Sequence, residues 1–87
     1  MAPPPEAVPP EAVQDELSRR AQVAAALTDQ GRQLLEAGRV DQAIRIFEQA
    51  LSQSAYYGPG YYYLAESWLQ KDNGTQARAF HEQAVLY

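Results

Sequence analysis

Two stretches of this chain match each other at a constant separation of 34 residues. When the two stretches are aligned, small residues of the first correspond to small residues of the second, and large residues correspond to large ones. The six pairs are Leu27 and Tyr61, Gly31 and Ala65, Leu34 and Trp68, Ala43 and Ala77, Phe47 and His81, and Ala50 and Ala84. A period of this length is typical of helix–turn–helix units that stack in a solenoid. The repeat therefore predicts an all-α fold built from helical hairpins.

Length and composition restrict the chain to one small domain. It has 87 residues, no cysteine and a formal net charge of −4, so disulfides, thiolate zinc sites and cysteine nucleophiles are excluded. The basic residues stand singly apart from Arg19 and Arg20, and no basic stripe is available to a nucleic-acid backbone. No apolar run approaches the roughly 20 residues that cross a bilayer. We therefore expect neither a nucleic-acid partner nor a transmembrane segment.

Residues 1–10 contain five of the six prolines. Proline fixes φ and lacks an amide donor, so we expect residues 1–10 to form a disordered, polyproline-like arm. A linker is one interpretation, and a ligand for an aromatic groove is the other, although no basic residue flanks the prolines. The compartment stays open between the cytoplasm and an exported or membrane-tethered location. The arm slightly favours export, because such arms tether domains to membranes.

The segment from Glu11 to Ala37 contains no proline and is rich in alanine. Its apolar positions recur at steps of three, four or seven, which is the spacing of one helical stripe. They are Val13, Leu17, Ala24, Leu27, Gly31 and Leu34. We predict one long first helix of about 27 residues, roughly 40 Å in length. The alternative is a bend near Arg19–Ala21, since Arg20 interrupts the stripe.

Three further helices follow from turn and cap residues. Gly38 is suited to the left-handed conformation that ends a helix, and the second helix then runs from Asp41 to about Ser54. Pro59 is suited to the first turn of a third helix. Asn73 is a good N-cap residue for a fourth helix over about residues 75–86. The sequence thus predicts two antiparallel helix pairs with a long N-terminal first helix.

These residues resemble the pattern of the tetratricopeptide repeat family. That family places a large apolar residue, a Leu-Gly pair and an aromatic residue on the first helix, and Ala-x₃-Phe on the second. The first copy reads Leu27-x₂-Gln30-Gly31-x₂-Leu34 and then Ala43-x₃-Phe47, and the second reads Tyr61-x₂-Leu64-Ala65-x₂-Trp68 and then Ala77-x₃-His81. Gln30 and His81 depart from the pattern.

The resemblance implies a right-handed helical-hairpin solenoid over residues 11–87, with repeats at about 24–57 and 58–87. In this family the first helix of each pair lines a concave groove that binds a partner. Carried over by helical phase, the partner-binding candidates are Thr28, Arg32, Leu35, Tyr62, Glu66, Leu69 and Gln70. Tyr57 joins them because tyrosine is enriched at binding hot spots.

We therefore predict a scaffold for protein–protein interaction that binds a peptide or protein segment in this groove. The alternative is a homo-oligomerisation module that pairs through apolar end helices. Val13 and Leu17 provide one such end. At the other end, Arg78 and His81 stand in the places of Ile44 and Phe47 as a partial polar cap. The last helix nevertheless carries much apolar surface, at Phe80, Val85, Leu86 and Tyr87.

The sequence contains few candidates for catalytic or metal-binding residues. His81 is the only histidine, and a metal ligand or general base needs partners that its own helix does not supply. The sequence contains no phosphate-binding loop and no recognisable pairing of a nucleophile with a base. We expect a protein that is not an enzyme and that uses no cofactor or metal.

Overall fold

The structure, a computed structural model, describes residues 10–87. It contains four helices and no strand in that range. The helices are α1 (Pro10–Glu36), α2 (Val40–Gln53), α3 (Gly58–Gln70) and α4 (Gly74–Leu86). Helices α1 and α2 form hairpin 1, α3 and α4 form hairpin 2, and α3 packs on both helices of hairpin 1. The predicted all-α fold of two helical hairpins is confirmed. The expected disordered arm lies outside the described residues, apart from Pro10, which begins α1.

Helix α1 is uninterrupted over 27 residues, which confirms the long helix rather than the bend near Arg20. Glu16 pairs with both Arg19 and Arg20 at 3.1 and 2.9 Å, so the two arginines are accommodated on the helix surface. At 1.5 Å per residue α1 is about 40 Å long and α2 about 21 Å. The first half of α1 therefore extends past the hairpin, and residues 10–20, here named the overhang, are all exposed.

Phe47 occupies the centre of the core and is fully buried. Its ring packs against the backbone of α1 at Gly31, where a Cβ atom would lie 2.5 Å from Phe47 Cε1. On its other side it stacks on Tyr63 of α3, with ring centroids 5.8 Å apart. Buried neighbours complete the cluster: Leu35, Ala43, Ile44 and Leu64. The small residues of the repeat therefore let the helices approach closely enough to enclose one aromatic ring.

The two hairpin turns repeat one backbone geometry at the 34-residue separation. Gly38 has a φ of +80° and its equivalent, Asp72, has a φ of +59°. In each turn this residue and the next donate amide hydrogen bonds to carbonyls three and five residues earlier, which is the Schellman arrangement. The pairs are Gly38–Leu35, Arg39–Leu34, Asp72–Leu69 and Asn73–Trp68. The second turn therefore needs a left-handed residue but has an aspartate there.

We expect Asp72→Gly to raise the free energy of unfolding by about 0.5–1 kcal/mol, because glycine adopts positive φ without a Cβ clash. The gain is partly offset by the greater freedom of glycine in the unfolded chain. Urea denaturation of the two chains measures the difference. Gly38→Asp makes the reverse change in the equivalent turn and should lower stability. If both changes shift stability in the same direction, backbone strain at Asp72 is not the cause.

The start of α3 and the end of α4 meet at one edge of the molecule. Pro59 lies in the first turn of α3 as predicted, and a Cβ atom on Gly58 would lie 2.8 Å from the carbonyl carbon of Tyr87. Tyr61 donates a hydrogen bond to the carbonyl of Ala55 at 2.7 Å, and burial raises the pKa of the Tyr61 phenol. Since successive helices alternate in direction, the overhang leaves the molecule at this same edge.

The opposite edge carries polar links between the helices. Asn73 caps α4 as predicted, since its side-chain oxygen accepts from the amide of Gln76 at 3.1 Å. Lys71 forms an ion pair with Asp41 of α2, and this hydrogen bond lowers the pKa of the Asp41 carboxyl. Because both side chains are in contact with solvent, the pair adds little to the stability of the fold. Among residues 10–87, no helix has both the length and the apolar character needed to cross a membrane.

Candidate functional site

The side of hairpin 2 that points away from hairpin 1 is an open apolar surface, here named the outer face. Two shallow grooves of about 630 and 310 Å³ run along it between α3 and α4, and they share His81 and Val85. Tyr62, Leu69 and Val85 are exposed there by 47, 46 and 87%. The residues of the outer face are Tyr62, Glu66 and Leu69 on α3 and Arg78, His81 and Val85 on α4.

A polar pair lies at the centre of this apolar surface. His81 Nε2 lies 3.2 Å from Glu66 Oε1, and this contact joins α4 to α3. The Tyr62 ring lies beside it, with its centroid 6.0 Å from that of His81. Among residues 10–87 no three His, Asp or Glu side chains come close enough to hold a metal ion. The arrangement offers apolar contact and hydrogen bonding to a ligand.

The outer face repeats a surface of hairpin 1 that is buried. Five of its six residues have an equivalent 34 positions earlier in the region where α3 packs on hairpin 1. The equivalent of the sixth, Glu66, is Arg32, which is exposed. The buried equivalents are Thr28, Leu35, Ile44 and Phe47, and Leu51 is half-buried. Their counterparts on hairpin 2 are Tyr62, Leu69, Arg78, His81 and Val85. The outer face is thus a stacking surface that no helix among residues 10–87 covers.

Two of the candidates from sequence, Thr28 and Leu35, lie in the core rather than on a surface. Both are buried where α3 packs on hairpin 1, and the Thr28 hydroxyl donates to the carbonyl of Ala24 at 2.7 Å. The reason is helical phase. The buried stripe of α1 includes Thr28 and Leu35, whereas Leu27 and Leu34 are only half-buried. Thr28 and Leu35 are therefore not available to a partner in the folded chain.

The other candidates fall into two groups. Tyr62, Glu66 and Leu69 come together on the outer face. Arg32, Tyr57 and Gln70 line neither groove of this face. A guanidinium nitrogen of Arg32 lies 3.6 Å from a carboxylate oxygen of Asp29. A hydrogen bond with the Tyr63 hydroxyl is the main cause that raises the pKa of Arg32. Tyr57 is half-buried at the start of α3, and Gln70 is exposed at its end.

Arg78, His81 and Val85 belong to the outer face but are not among the groove-binding residues predicted from the sequence. The sequence predicts Arg78 and His81 as a partial polar cap, from the 34-residue equivalence, and Val85 as apolar surface for self-association. The equivalence pairs His81 with Phe47 and Arg78 with Ile44, and both of these hairpin 1 residues are buried beneath α3. A polar residue at such a stacking position indicates a surface that is left open or that meets a different partner.

Comparison with known proteins identifies the family. A sequence profile described as "Tetratricopeptide repeat" matches residues 34–87, which extend from the end of α1 through α4. No curated protein and no solved structure matches the chain. The matched segment contains both Schellman turns and both Ala-x₃-large spacings. Because the match covers well over half of the chain and the helices pair as hairpins, the chain belongs to the tetratricopeptide repeat family.

Proposed function

We propose that this chain docks a peptide or protein segment on the part of α3 that carries Tyr62, Glu66 and Leu69. Proteins of this family generally mediate protein–protein interaction. The single observation that carries the proposal is the open groove beside Tyr62, which is lined mainly by apolar and aromatic residues. Tyrosine at such a position gives a large contact area with a hydroxyl that can still reach water. Arg32 and Gln70 are also exposed but line neither groove, so the proposal does not depend on them.

The proposed role is binding without catalysis. Tetratricopeptide repeats are typically interaction modules. The His81–Glu66 pair joins α3 to α4, and neither of the two grooves that His81 lines contains a serine, threonine or cysteine that it could activate. Its role in the proposal is to supply one hydrogen-bonding point at the centre of an apolar contact surface.

A second candidate function is homo-oligomerisation through the ends of the helix stack. The observation that favours it is apolar exposure at both ends. Val13 and Leu17 on the overhang are exposed by 42 and 53%, and Leu86 and Tyr87 at the end of the chain by 74 and 53%. Apolar side chains in such number at the ends of a small solenoid favour a covering partner.

We expect Tyr62→Ala to weaken partner binding by about 2 kcal/mol, a rise in Kd of about 30-fold, as for a hot-spot tyrosine. It should change the free energy of unfolding by less than about 1 kcal/mol, because the side chain is half exposed. Wild type and the variant are compared first by pull-down from the source cell and then by titration of the captured partner.

Tyr56→Ala is the matched control for this experiment, since Tyr56 is exposed but lines neither groove of the outer face. It should leave binding unchanged. If Tyr62→Ala unfolds the domain, Tyr62 belongs to the core. If it leaves binding intact, the partner docks elsewhere and the proposed site is wrong.

A further inference from the structure

The outer face has the shape of a surface on which a helix packs. Its equivalent on hairpin 1 holds α3, which contributes buried residues at steps of four and three, namely Gly60, Leu64 and Ser67. A helix with small and apolar residues at such steps would fit the outer face in the same way. An extended peptide would present side chains at a period of two and would match these positions less well.

The overhang of α1 is a helix of this kind. Val13 and Leu17 are four residues apart, and Ala21 continues the stripe where the helix reaches the body of hairpin 1. Every residue from 10 to 20 is exposed, so this stripe has no cover within the described part of the chain. From Pro10 to Gln22 the helix rises about 20 Å, which is also the length of the 13-residue helix α3.

We propose that the overhang of one copy of the chain docks on the outer face of a second copy, and that the second copy returns the same contact. This proposal deepens the interaction role given above and names a second copy of the chain as the occupant. A twofold axis between the two molecules makes both contacts at once and closes the assembly as a dimer.

Topology sets the direction of the docked helix. The overhang leaves each molecule at the edge where α3 begins and α4 ends, and it runs parallel to α3 of its own chain. When a second molecule approaches this edge across a twofold axis, its overhang enters the outer face beside Tyr62. Its N-terminal end then reaches towards Leu69 and Arg78, so the docked helix runs antiparallel to α3.

Charge agrees with this direction. Arg78 replaces the buried Ile44 of hairpin 1, and it forms no ion pair within residues 10–87. In the antiparallel arrangement, the first turns of the incoming overhang reach the end of the outer face where Arg78 lies. Those turns carry Glu11 and Asp15. Glu11 and Asp15 lie off the Val13–Leu17 stripe, so they do not contact Arg78 directly. Their negative charge near the basic end of the groove favours this orientation over the reverse one through longer-range attraction.

The molar mass of the full chain tests the proposal, measured by sedimentation over a wide range of protein concentration. We expect wild type to move from monomer to dimer as concentration rises. Leu17→Glu and Val85→Glu each place a charge in the contact and should abolish the dimer. Gln22→Glu and Gln83→Glu add the same charge on the opposite sides of the same helices and should leave the dimer intact. A wild-type chain that stays monomeric throughout, or a dimer that survives either contact substitution, overturns the proposal.

Cross-linking identifies the contact itself, because the chain has no cysteine of its own. Tagged Leu17→Cys chains are mixed with untagged Val85→Cys chains and treated with a bismaleimide. We expect covalent heterodimers in large excess over the yield from Gln22→Cys mixed with Val85→Cys. Equal yields in the two mixtures, or a product formed mainly between two Leu17→Cys chains, contradict the pairing of overhang with outer face.

These outcomes separate the dimer from the broader binding role. A monomeric chain whose partner binding still depends on Tyr62 overturns the dimer and leaves the proposed function in place. A dimer cross-linked between positions 17 and 85, with no other partner sensitive to Tyr62→Ala, supports the dimer and removes the docking of a separate protein.

Discussion

Gly31→Ala should lower the free energy of unfolding by about 3 kcal/mol, at the upper end of what overpacking costs. The added methyl carbon would lie 2.5, 2.7 and 2.9 Å from three ring atoms of Phe47, well inside the contact distance of two carbon atoms. The ring cannot move aside, since it is fully buried and stacks on Tyr63. Urea denaturation followed by circular dichroism measures the loss.

A double-mutant cycle with Phe47→Leu identifies the cause of this loss. Leucine removes the ring atoms that the new methyl group would meet, so Gly31→Ala should cost much less in the Phe47→Leu background. Gly74→Ala is the matched control, because a Cβ atom at Gly74 meets nothing within 4 Å. An equal cost of Gly31→Ala in both backgrounds would show that the ring is not what the methyl group strikes.

The helices of this chain can be predicted from local signals. The end of α1 follows from Gly38, the start of α3 from Pro59 and the cap of α4 from Asn73, and each of these acts on its own backbone. The continuity of α1 through Arg20 does not follow from the apolar stripe alone. There the deciding fact is exposure, because an arginine in the overhang stays in solvent and pairs with Glu16.

The positions of the binding candidates depend on information that a single helix does not contain. Leu27 and Leu34 are larger and more apolar than Thr28, yet Thr28 is the more buried. Its burial is set by where α3 crosses α1, and one step along a helix turns a side chain by about 100°. The same uncertainty does not affect Tyr62, since hairpin 2 has no following helix to cover it within the described chain.

Identifying the outer face as a stacking surface requires both the sequence repeat and the structure. The sequence pairs His81 with Phe47, but only the packing of α3 on hairpin 1 reveals that this position is a stacking surface. Arg78 and His81 are polar, as expected of residues that cap a helix stack. Val85 is apolar and 87% exposed, which is not expected of a cap. The proposed contact with another chain would account for both properties of this face.

The two alanines of the repeat should respond unequally to enlargement. Ala43→Leu should cost about 3 kcal/mol and Ala77→Leu about 1 kcal/mol, both within the range for overpacking. Each alanine is buried at a crossing of paired helices. Ala43 lies in a cluster that α3 closes from outside, so three added carbon atoms have no free space. Ala77 borders the smaller groove of the outer face, where a leucine side chain can lean into open space.

Stability curves in urea for the two variants, compared with wild type, measure this difference. Ala43→Ser and Ala77→Ser serve as controls that change polarity with little change of volume. In the proposed dimer the two variants should also differ in their effect on self-association. The incoming overhang would cover the groove beside Ala77, so Ala77→Leu should also weaken self-association, while Ala43→Leu acts on folding alone. Equal losses of stability in the two variants would mean that the outer face is closed in solution even in the monomer.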